Sequence, residues 1–144
     1  MRLHPLHPML VHLPLAGWVL TPLCDAAAAA VGEDFFSQAA ALMAAVGVVG
    51  GAIAAMAGAL DYERAHRRAP KLVLAHASLM GAAWTLAAGG LFGRLTADYA
   101  VLTPPPAWAV ACSAAALASM LLGAWCGGEL VYGRGVNVRA LEDS

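Results

Sequence analysis

Two histidines, His12 and His76, stand inside apolar stretches of the chain. An imidazole there can ligate a metal ion or a haem iron, or hold a hydrogen bond. Ionisable groups inside a membrane span are energetically costly and tend to mark functional positions. His12 lies four residues beyond Pro8, roughly 6 Å along a helix. His76 lies five residues beyond Lys71, roughly 7 to 8 Å along another. Asp61, Glu129 and Tyr132 fall where two further helices reach the same end. Four helices thus each deliver a polar group to one face.

The spacing predicts that His12 and His76 oppose each other at matched depth, which suits axial ligation of haem b. Ala75, Ala77 and Gly81 leave room for a porphyrin, and Arg64, Arg67 and Arg68 are placed to neutralise its propionates. A metal ion held by His12, His76, Asp61 and Glu129 is the rival reading, with zinc, iron or manganese favoured by mixed nitrogen and oxygen donors. A third reading is structural: each imidazole holds a packing hydrogen bond, Asp61 pairs with Arg64 and Glu129 with Arg134. His7 lies five residues before His12, about 140° round a regular helix from it, and is a second-rank ligand. His4 and His66 read as solvent-exposed.

Elements able to position these groups follow from length and charge. The chain has 144 residues, 61% hydrophobic and 12% charged, about half the charge usual in soluble domains. Four apolar stretches reach the roughly 20 residues needed to cross a bilayer. They predict helices over 8–31, 35–60, 71–91 and 106–131, forming an all-α, up-down transmembrane four-helix bundle in a single domain over 1–144. No linker or long repeat is legible.

Basic residues set the orientation. Arg2, Arg64, Arg67, Arg68, Lys71, Arg134 and Arg139 fall on one side and only Arg94 on the other. Both termini and the middle loop are therefore expected in the cytoplasm, with the protein in a bacterial inner membrane. The first apolar stretch is expected to be a retained helix rather than a cleaved signal, because prolines and histidines interrupt it and Asp25 sits beside the would-be cleavage site.

Glycine ridges at Gly47/Gly51, Gly50/Ala54/Gly58 and Gly123/Gly127 predict close helix packing. Cys24, Cys112 and Cys126 form no CxxC pair and read as small buried thiols, with a Cys24–Cys112 disulfide as the alternative. Trp108 reads as an interfacial anchor, and Asp25 as a local interfacial acid. A net charge of −1 without a basic, aromatic-interleaved run gives no sign of nucleic-acid binding. No nucleophile–base arrangement or phosphate loop points to an independent enzyme.

The motifs HPMLVHLP (His7 to Pro14), GALDY (Gly58 to Tyr62), AHA around His76 and GGELVYGRGVNV (Gly127 to Val138) resemble the bacterial membrane-protein family catalogued as domain of unknown function 2231. The likeness spans nearly the whole chain. It implies a four-helix membrane protein, and the linkage of some members to Rieske or cytochrome proteins implies electron transfer. The motif positions it marks are His7, Pro8, His12, Pro14, Asp61, His76, Gly127, Gly128, Glu129 and Tyr132. Leu13 stands where the family often has an aromatic residue. The resemblance names no cofactor.

Three functions follow as expectations. The first is a b-type cytochrome-like electron-transfer protein or subunit using His12 and His76, with a quinone or redox protein as partner. The second is a metal-binding or metal-transporting module, and the third a cofactor-free accessory subunit. Any of them could act as a homo-oligomer or within a larger membrane complex.

Overall fold

A computed structural model describes residues 6–136, so the expectations placed on Arg2, His4 and Arg139 fall outside the described residues, as does the side chain of Arg64. The first span comprises α1 (Leu6–Leu10) and α2 (His12–Val31). Pro8 is accepted in the opening turn, where a missing N–H costs nothing. The break at Val11 follows from Pro14, which cannot donate to the carbonyl of Leu10. Val11 N–H still donates to His7 O and Leu15 N–H to Val11 O, each at 3.1 Å. The two pieces therefore run on as one span, Leu6–Val31. Gly32, at φ 78°, closes it by donating to Ala28 O.

The second span is α3 (Asp34–Arg68), the third α4 (Pro70–Gly93) and the fourth α5 (Ala107–Gly128), which continues into a π-helical turn over Glu129–Gly133. Four helices are long and apolar enough to cross a membrane, and no strand occurs among the described residues. α3 runs eight residues past its expected end at Leu60. The segment from Asp61 to Arg68 is rich in good helix formers, and its terminal arginines suit the negative end of the helix dipole. Pro70 stops it by forcing Ala69 out of the helical conformation (φ −150°, ψ 69°).

α2 packs on α3 and α5, and α4 packs on the same two helices, so α2 and α4 are diagonal. The glycine ridges are used as expected. A Cβ on Gly17 would lie 2.6 Å from the backbone nitrogen of Gly47, so α2 and α3 touch backbone to backbone there. Trp18, 3% exposed, lies over Gly47 and Gly51 and centres a core with Ala83, Ala87, Ala116 and Met120. All three cysteines are free thiols. Trp108 is exposed on its outer side and packs over Gly93.

The bundle carries a repetition that the sequence hides. Positions 69 apart are equivalent, the separation at which Asp25 meets Arg94. In the first and third spans Pro14, Trp18, Thr21 and Asp25 are buried, and so are Ala83, Ala87, Gly90 and Arg94. In the second and fourth, Ala40, Ala44, Gly47, Gly51, Ala54 and Ala57 match Ala109, Ser113, Ala116, Met120, Gly123 and Cys126, all buried. Only Ala40 and Ala109 are the same residue among these pairs. The absence of a long repeat in the sequence therefore conceals two helical hairpins of one design. Equivalent residues can meet each other only near a shared two-fold axis, and such an axis runs along the bundle, parallel to the spans.

Candidate functional site: two imidazoles on the bundle axis

His7, not His12, is the imidazole that meets His76. Because the helix starts at Leu6 rather than at Pro8, His7 belongs to its first turn. The ring centroids of His7 and His76 are 6.3 Å apart, and the ring planes are nearly perpendicular at 88°. His12 sits on the opposite side of its helix, exposed, with Nδ1 3.2 Å from the carbonyl of Met9 on its own span. The expected His12–His76 pair is therefore replaced by His7–His76. The two positions are well separated round the helix, and it is His7 rather than His12 that turns inward.

Each ring is held in the same way. His7 Nδ1 lies 2.8 Å from Ala54 O on α3, and His76 Nδ1 lies 2.8 Å from Gly123 O on α5, both contacts spanning 47 residues. A carbonyl can only accept, so both Nδ1 atoms carry a proton, and in the neutral imidazole Nε2 is then the nitrogen with the lone pair. This carbonyl tether is the usual means of fixing tautomer and ring direction in a ligating histidine. The next turn of each neighbouring helix supplies a glycine. A Cβ on Gly58 would lie 3.0 Å from His7 Nδ1, and one on Gly127 would lie 3.0 Å from His76 Cε1. Glycines that read as packing ridges thus also seat the two rings.

The other expected site residues are not drawn into this group. Glu129 opens the π turn with its carboxylate 3.6 Å from Arg134 Nε. Asp61 is half-buried on α3. Tyr132 is 91% exposed. Among the described residues no three His, Cys, Asp or Glu side chains converge as metal ligands, so His12, His76, Asp61 and Glu129 do not form a single metal site. Arg67 lies 3.7 Å from Glu63 on its own helix, and Arg68 donates to Gly135 O at 2.9 Å. His66 is exposed and stacks on Tyr62.

At the far end of the axis lies a second cross-axis pair. Arg94 Nη1 and Nη2 donate to Asp25 Oδ1 and Oδ2 at 2.6 and 2.7 Å, and Nη2 reaches Ser113 Oγ at 2.6 Å. The arginine side chain is 0% and the aspartate 3% exposed. Asp25 is thus not a local interfacial acid but half of a bidentate buried ion pair. The signal was present: a carboxylate six residues before the end of an apolar span needs a partner, and Arg94 is the lone basic residue at that end. Eighteen residues separate His7 from Asp25 and His76 from Arg94, about 27 Å of helix, close to the thickness of a hydrocarbon core.

The family model described as predicted membrane protein (DUF2231) matches residues 3–140. The chain belongs to that family. No curated protein and no solved structure matches it. In this DUF2231 protein the resembling motifs take on distinct tasks. His7 and His76 meet ring to ring, Gly58 and Gly127 seat their rings, and Gly135 (φ 61°) ends the last helix, where Val131 O and Leu130 O accept from Gly135 and Val136 N–H. π-helical turns such as the one at Glu129 recur at functional sites.

Proposed function

We propose that this protein binds a b-type haem through His7 and His76 and serves as an electron-transfer subunit of the bacterial inner membrane, exchanging electrons with a quinone or a redox protein. The observation that carries the reading is the pair of imidazoles, each tethered to a backbone carbonyl through Nδ1 so that Nε2 is the nitrogen left for a ligand. Haem iron asks the protein for only two axial ligands, whereas a bare zinc site needs three or four. Among the described residues no third donor joins the two histidines, which favours haem over a protein-ligated ion. Two imidazoles binding one metal from opposite sides would hold their centroids about 6 Å apart, given a metal–nitrogen bond of about 2 Å on each side. When bound, the haem supplies the one-electron couple, and the protein sets its potential through ligand basicity and burial. The tethers to Ala54 O and Gly123 O raise that basicity.

Orientation enters the reading through charge. Arg94, the single basic residue opposing the others, is neutralised by Asp25. The net basic bias of the end carrying Arg67, Arg68 and Lys71 supports a cytoplasmic position for that end and for the imidazoles near it.

The test is the absorption spectrum of detergent-purified protein from haem-replete cells, before and after dithionite. The expected result is a Soret band that shifts on reduction. It should be lost or altered in His7→Ala and in His76→Ala, and retained in His12→Ala. A folded, colourless preparation that takes up no added hemin overturns the proposal. The two imidazoles would then be interhelical hydrogen bonds of a cofactor-free accessory subunit.

A further inference from the structure

A cleft at the basic end does not involve the imidazoles. It has a volume of about 280 Å³ and is lined by Arg68, Ala69, Pro70, Lys71, Leu72 and Arg134. Three segments build it: the end of α3, the first turn of α4, and the residue following the π turn. Three of its six lining residues are cations and none is an acid. Among the described residues Arg68 uses one donor on Gly135 O, Arg134 has the half-buried Glu129 at 3.6 Å, and Lys71 makes no ion pair. The positive charge facing the cleft is therefore poorly compensated by the described residues.

We propose that this cleft binds the phosphate head group of an anionic phospholipid from the surrounding leaflet. Charge is the first argument: guanidinium forks and an ammonium around one small space match a phosphate diester. Backbone donors are the second. The cap residue Ala69 offers no side-chain hydrogen bond and Pro70 has no N–H, so the first-turn amides of Lys71 and Leu72 remain without an intrahelical acceptor beside the cations. Depth is the third. Pro70 begins a candidate span, and Arg68 lies five residues past Glu63, where the apolar span within α3 ends, so the cleft sits where lipid head groups lie. The floor is the fourth. Ala69 packs with Val73, Leu130 and Val136 in an apolar cluster, flanked by Leu72, that suits the glycerol and upper acyl region. Basic pockets between membrane helices are a recurrent form of head-group site. No aromatic residue lines the cleft to stack a base, which argues against a nucleotide.

The experiment is native mass spectrometry of the full-length protein released from detergent or nanodiscs containing phosphatidylglycerol or phosphatidylcholine. One retained phosphatidylglycerol per chain is expected, with none of the choline lipid. The Arg68→Gln/Lys71→Gln/Arg134→Gln variant should lose that lipid, and Lys71→Gln alone, at an exposed position, should weaken retention several-fold. Both variants are checked for the elution profile of the parent protein. Retention of phosphatidylglycerol unchanged in both variants overturns the proposal. So does equal displacement of the lipid by millimolar inorganic phosphate, which would make the cleft a site for a free anion. His7→Ala leaves lipid retention unchanged, so failure of this proposal and failure of the haem reading are separable.

Discussion

His7 and His76 are the same residue of two hairpins: they stand 69 apart, each is tethered by Nδ1 to a carbonyl 47 residues further on, and their rings meet on the axis relating the hairpins. Asp25 and Arg94 repeat the relationship at the opposite end, with the residue types diverged into a charge pair.

Seating of the rings predicts an effect for glycine substitutions far from any ligand atom. Gly58→Val and Gly127→Val push into imidazoles already in contact with the backbone. Each should abolish the reducible Soret band or lower hemin affinity at least tenfold, while the protein still elutes as a folded species. Gly81→Ala, where nothing lies within 4 Å, should leave the spectrum unchanged and raise helix stability by up to about 1 kcal/mol. Hemin titration and thermal melts of the three variants decide it.

The buried ion pair predicts a strong asymmetry between breaking and exchanging it. Asp25→Asn or Arg94→Gln leaves a desolvated charge without its partner and should cost about 3 to 5 kcal/mol. Because the positions are equivalent, the exchange Asp25→Arg with Arg94→Asp should recover most of the loss. Adding Ala44→Ser, which supplies the counterpart of Ser113, should recover more. Thermal unfolding followed by circular dichroism would read this out. An exchange no better than the worse single variant would contradict the two-fold equivalence.

Direct backbone contact at Gly17 predicts that even a methyl group is not tolerated. Gly17→Ala places a Cβ 2.6 to 2.7 Å from Gly47 and from the carbonyl of Met43, with only backbone to move. Separation of α2 and α3 should lower the melting temperature by several degrees or more, as expected of overpacking worth about 1 to 3 kcal/mol. Gly89→Ala, which meets nothing within 4 Å, is the matched control on α4.

Replacing a ligand rather than deleting it separates haem binding from packing. His76→Met retains a group able to bind haem iron but cannot donate to Gly123 O. The expected outcome is a protein that still binds haem with a raised reduction potential, measured by spectroelectrochemistry. A colourless His76→Met variant beside a coloured wild type would show that the tether to Gly123, rather than ligation alone, is required.

Much of the molecule was determined by the sequence alone. Four long apolar stretches and clustered charges dictate four spanning helices, because lipid leaves the backbone no other way to satisfy its hydrogen bonds. The glycine spacing dictates close packing, and the resembling motifs name the family. Tertiary structure decided which imidazole faces inward, that Gly58 and Gly127 seat the rings, that Asp25 holds Arg94, and that two hairpins share one plan. The physical reason is common to all four. In water an apolar stripe tells a helix which face is buried, but in a membrane both faces are apolar and packing is set by small residues and scarce polar contacts. His7 and His12, 140° apart on one span, cannot be ranked until the neighbouring helix offers the carbonyl of Ala54 to one and not to the other.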